Sequence, residues 1–131
     1  MDAGKISFAH ALGVQLSTEL SHIENYSVIA YYTMCRIAKK IFDIKEIAPA
    51  VGARYVFTGD VQFQKDNCRV NIQLIDTSSS EQIWGRTYKK KFSLLRMFDI
   101  QDEIVRNVIS FVERHGMTAG KAPSIVIATV A

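Results

Sequence analysis

Residues 50–111 carry two hydrophobic periods in succession. From Tyr55 to Gln64, apolar and polar positions alternate, with Tyr55, Phe57 and Gly59 on one side and Val56, Thr58 and Asp60 on the other. Residues 68–76 alternate more cleanly. Cys68, Val70, Ile72 and Leu74 share one face, and Arg69, Asn71 and Gln73 share the other. A third alternating run covers 82–88. A period of two marks half-buried strands. Lys65, Asp66 and Asn67 form one turn, and Thr77 with Ser78, Ser79 and Ser80 forms another. The three runs therefore predict an antiparallel meander. Gly59 and Asp60 are the place where a bulge would disturb its register.

The period then changes. Leu94, Phe98, Val105, Val108, Ile109 and Val112 fall on one side of a helix over 93–115. Asp99, Asp102 and Glu103 favour a turn and a fresh start at Asp99, where carboxylates meet the positive helix end. Upstream, Ala9, Leu12, Leu16, Leu20 and Ile23 predict a helix over 7–23 with Ser7 as its N-cap. Residues 27–32 read as a short strand, and Met34, Ile37, Ile41 and Phe42 as a helical face. Asp43 opens a short second helix, which Pro49 limits and Gly52 caps. Residues 116–123 form a linker. Residues 124–130 (SIVIATV) are β-prone and uncharged, so they must be covered by the sheet of this chain or of a partner.

These elements give one α/β (α+β) domain over residues 1–131. It has a single mixed sheet containing the antiparallel three-stranded meander, with helices packed on one face. Length and composition agree: 131 residues, 48% hydrophobic and 22% charged. Such a chain buries a core without disulfides. The net charge of +3 is mild for a nucleic-acid binder. Cys35 and Cys68 are the only cysteines and read as reduced thiols, which points to the cytoplasm. No apolar run reaches the length of a membrane span, and the first residues lack the apolar core of a signal peptide.

Candidate chemistry is sparse. His10 and His22 stand about 18 Å apart along a helix and cannot share a metal. With His115 they read as surface histidines. Ser78, Ser79 and Ser80 lack a nucleophile elbow. Asp60, Arg69, Asn71 and Asp76 do not fall in a cyclase pattern. No catalytic, cofactor-binding or metal-binding residue is assigned, and no cofactor is expected. Arg86, Lys89, Lys90 and Lys91 form the one basic cluster. It reads as a solvated strand end or, as the alternative, a nucleic-acid-binding patch. Trp84 and Tyr88 share one strand face and read as core or as a partner anchor. Ile125 and Ile127 are candidates for pairing with a second copy.

The motifs also carry a resemblance. Val51 and Gly52 match one pair of residues. Arg54, Tyr55 and Val56 match a strand start, and Gly59, Asp60 and Val61 a strand turn. RVNIQLID at 69–76 and Trp84 follow, then Ile100, Gln101, Asp102, Glu103 and Ile104. In this order they resemble the TolB amino-terminal-like domain of bacterial signalling proteins, best over 51–112. The resemblance implies a small non-catalytic α/β module attached to class III adenylate cyclase domains, winged-helix regulators or tetratricopeptide repeats. It implies a regulatory or interaction role with a protein partner or neighbouring domain. Asp60 stands where the family has serine. The family's opening strand has no counterpart before the first helix, and 124–130 could fill its place, within one chain or between two.

Overall fold

Apolar residues four apart line the first helix, and this spacing decides which side it buries. The computed structural model describes residues 3–23, 27–28, 54–115 and 124–130. Helix α1 (Ala3–Ser21) buries Phe8, Leu12, Leu16 and Leu20 almost completely. It begins before the expected cap, so Ser7 lies inside the helix. Ala3 and Lys5 are good helix formers, and a serine alone does not stop a helix.

Strand β1 (Ser27–Val28) is followed by the meander: β2 (Tyr55–Gln64), β3 (Asn67–Asp76) and β4 (Glu81–Lys91). Helix α2 (Met97–His115) and strand β5 (Ser124–Val130) complete the described elements. The sheet order is β1-β5-β2-β3-β4. Both pairings of β5 are parallel, and those of the meander are antiparallel. The mixed sheet is thus the expected one, and β5 sits within it with neighbours on both sides. Residues 29–53 and 116–123 lie outside the described set. With them go the rest of the strand expected at 27–32, the helical face at 33–42, the short second helix, Cys35 and the linker.

Pairing of β2 with β3 runs unbroken from Tyr55↔Asp76 to Gln64↔Asn67, so no bulge interrupts it at Gly59. The irregularity lies on the other side of β2, where pairing with β5 shifts between Phe57 and Gly59. A Cβ on Gly59 would come within 2.3 Å of the Asn71 carbonyl oxygen. Glycine is therefore required by the close approach of the next strand. A second shift lies between Leu74 and Ile75 in the β3–β4 pairing.

Both described helices lie on one face. The core joins Phe8, Leu12, Leu16 and Leu20 of α1 to Phe57, Val70, Ile72 and Leu74 of the sheet. Ile100, Ile104, Val105, Val108, Phe111 and Val112 of α2 complete it. Phe8, Phe63 and Phe92 make an edge-to-face cluster at the β2–β3 turn end, with centroids 5.1–6.3 Å apart. The opposite sheet face is more polar, with Arg69 and Gln73 exposed.

Helix α2 starts afresh after a turn, as the acidic residues predicted, but at Met97 rather than Asp99. Residues 93–96 form a turn in which the Arg96 N–H donates to the Ser93 carbonyl (3.1 Å). The helix then runs from Met97 and places Asp99 in its first turn. Carboxylate placement at the positive end is kept, two residues earlier than expected. Two residues of the predicted apolar stripe, Leu94 in this turn and Phe98 in the first turn of the helix, are not buried. Leu94 is 69% and Phe98 70% exposed.

Candidate functional site

Strand alternation divides the basic cluster. In the β3–β4 register, Trp84, Arg86, Tyr88 and Lys90 oppose Leu74, Ile72, Val70 and Cys68, which belong to the helix-covered face. Arg86 Nη1 donates to Asn107 Oδ1 of α2 (3.3 Å), and Lys90 pairs with Glu103 of α2. Lys89 and Lys91 oppose Arg69 and Asn67 and belong to the open face, where Lys91 pairs with Asp66 (3.6 Å). Residues 86–91 are thus two half-clusters on opposite sides of the sheet.

Tyr88 is buried, and its hydroxyl has no hydrogen-bond partner among the described residues. Burial raises the pKa of the phenol, with Arg86 opposing the shift and Glu103 adding to it. Trp84 is half-buried. Its ring stacks on Phe111 (5.0 Å, 27°) and meets Phe57 edge-on (6.4 Å, 81°). The Trp84–Phe111 stack floors a groove of about 250 Å³ between β4 and α2. Arg86, Arg106, Asn107, Ser110 and Arg114 complete its lining. Arg114 Nε donates to the Ser110 carbonyl (3.2 Å). Among the described residues, Arg86, Arg106 and Arg114 have no carboxylate partner.

This groove was only partly legible in the sequence. Trp84 and Arg86 were candidates, but Arg106 and Arg114 were not. Their signal is the spacing 106, 110, 114, which puts Arg106, Ser110 and Arg114 on one side of a helix. Ile125 and Ile127 lie in β5, at the register positions of Tyr55 and Phe57. β5 is therefore taken up by its own chain.

Asn71, Thr87 and Asp76 serve the sheet and its turn. On the open face, Asn71 Nδ2 donates to Asp60 Oδ1 (2.6 Å), and Thr87 Oγ1 donates to Asn71 Oδ1 (2.7 Å). Asp76 accepts from the Ser78 hydroxyl (2.6 Å) and the Ser78 N–H (2.9 Å), and faces Arg54 at 3.6 Å. Desolvation raises the Asp76 pKa, but the Ser78 hydrogen bonds and the Arg54 charge outweigh it and hold it below its ordinary value. The aspartate therefore organises the β3–β4 turn. Burial pushes the Cys68 thiol up to about 11. His10 and His22 are exposed on and just after α1. No group of three or more His, Cys, Asp or Glu side chains with metal-holding geometry occurs among the described residues. No described helix is long and apolar enough to cross a membrane.

No family model matches the chain. It is similar to "Putative adenylate cyclase 3" of Rhizobium meliloti (strain 1021), at 30% identity over 114 residues. That match covers 87% of this chain and 19% of the relative, so the chain spans about a fifth of the relative's length. Two solved structures show a loose likeness. The LpoB C-terminal domain from Salmonella enterica overlaps with a TM-score of 0.34 at 18% identity, over 63% of this chain and 53% of that one. Human ENDOV overlaps with a TM-score of 0.41 at 12% identity, over 92% and 46% respectively. Neither overlap is close enough to carry an argument about function.

Proposed function

We propose that this chain is a non-catalytic regulatory or interaction domain of a bacterial signalling protein, with an adenylate cyclase-type parent acting in the cytoplasm. Its motifs resemble the TolB amino-terminal-like domain, and its sequence is similar to part of a protein named as a putative adenylate cyclase. The observation that carries the reading is how the carboxylates and the asparagine of the sheet are used. Asp60 and Asn71 hydrogen-bond to each other on the open sheet face, and Asp76 is committed to a turn. What the chain offers instead is surface: a strand edge at β4 that is unpaired among the described residues, and an arginine-lined groove beside it.

Contact with a protein partner or neighbouring domain would pass its state to an output domain. The nucleic-acid alternative is disfavoured because residues 86–91 do not form one patch. Two measurements test the proposal. The isolated chain with ATP and Mg²⁺ should form no cyclic nucleotide. Removing the chain from a cyclase-type parent should change the regulation of cyclic nucleotide synthesis and leave the synthesis itself intact. Cyclic nucleotide formation by the chain alone contradicts the proposal. So does tight oligonucleotide binding that weakens steeply with salt and is lost when Lys89, Lys90 and Lys91 become Glu.

A further inference from the structure

Building on the interaction-domain reading, we infer that the outer edge of β4 and the groove beside it bind an extended acidic peptide, added to the sheet as a sixth strand. Strand β4 ends the sheet order, so one side of its 11 residues offers unpaired N–H and C=O groups among the described residues. Such an edge is a template for another strand unless it is blunted by proline, charge or a cover. β4 has no proline, and its three lysines stand together at its C-terminal end.

The groove supplies the side-chain chemistry. Its lining contains three guanidinium groups and no carboxylate. Arg106 and Arg114 are eight residues apart on α2, about 12 Å along the helix. In an extended strand, residues i and i+4 point the same way and lie about 13 Å apart. A strand laid along β4 would therefore set acidic side chains at i and i+4 against Arg106 and Arg114. The side chain at i+2 would rest over Ser110 and the Trp84–Phe111 stack, so an apolar residue fits there. Guanidinium groups take carboxylates in bidentate fashion. The free backbone groups of β4 match a peptide, whereas a sugar–phosphate chain would leave them unpaired.

Trp84 is the only tryptophan and sits on the groove floor, so its fluorescence reports occupancy. The probe is a capped nine-residue threonine peptide with aspartate at its third and seventh positions and valine at its fifth. It should change Trp84 emission saturably. Exchanging both aspartates for asparagine, or combining Arg106→Gln with Arg114→Gln, should weaken binding at least about tenfold. N-methylation of alternate peptide amides, at unchanged charge, should do the same by blocking strand pairing. Far-UV circular dichroism checks that the variants keep the fold.

Equal binding by the asparagine or N-methylated peptide overturns the inference. Absence of binding overturns it too, as does tighter binding of a ten-nucleotide oligothymidine at the same groove. Failure of the peptide while the chain still forms no cyclic nucleotide removes this edge assignment and leaves the domain reading in place. Cyclic nucleotide formation by the chain would remove the domain reading itself.

Discussion

Tyr88 carries a buried hydroxyl that finds no partner among the described residues. An unsatisfied buried polar group costs about 1–3 kcal/mol. Tyr88→Phe should therefore leave stability unchanged or raise it by up to that amount, measured by urea unfolding. A clear loss would mean that the hydroxyl is bonded in the folded state. Cys68 makes the opposite kind of statement about reactivity. With its pKa pushed to about 11, little thiolate exists at neutral pH, and the side chain is 2% exposed. In a Cys35→Ser background, Cys68 should resist a disulfide reagent until the protein is unfolded; labelling of the native chain at a free-thiol rate would contradict the burial.

Asp76 gives the pH dependence. Its folded pKa lies below the ordinary 3.8, so its contribution to stability is fully present above that value. It is lost as the pH falls through the folded pKa. Midpoints of thermal unfolding should drop below about pH 4 in the wild type, and the Asp76 part of that drop should vanish in Asp76→Asn. The sequence marked Asp76 as the end of a strand before a turn. It could not show that Ser78 and Arg54 would both converge on it, because that depends on how the turn closes.

Among elements, the meander was the most legible. Strict alternation and two polar turns specify its register, since a one-residue slip would turn every apolar side chain of β3 outward. Helix α2 was legible in kind but not in extent. Asp99, Asp102 and Glu103 signalled the turn before it, but periodicity still assigned Leu94 and Phe98 to its buried stripe, because a spacing of four does not show which residues reach the core. Ile104 is fully buried, whereas Phe98 is 70% exposed. Ile104→Ala should cost about 2–5 kcal/mol. Phe98→Ala should stay within about 0.5 kcal/mol, as surface changes do. Equal losses at both positions in chemical denaturation would restore Phe98 to the core. The basic cluster was legible as a run of charge, but its division between two faces required the pairing of β4 with β3.

For the molecule as a whole, the place of β5 matters most. Its uncharged sequence demanded cover, and both its own chain and a second copy could have provided it. Parallel pairing with β1 and β2 provides that cover within the chain. That leaves β4 as the long free edge among the described strands, with the arginine groove alongside. Hydrogen exchange resolved to single residues tests this directly. Without ligand, the β4 amides directed away from β3 should exchange quickly, and those shared between β2 and β3 slowly. With the aspartate-bearing peptide present, protection should appear along residues 81–88 and little elsewhere. Protection centred on Asn71 and the open sheet face, or no change along β4, would contradict the account.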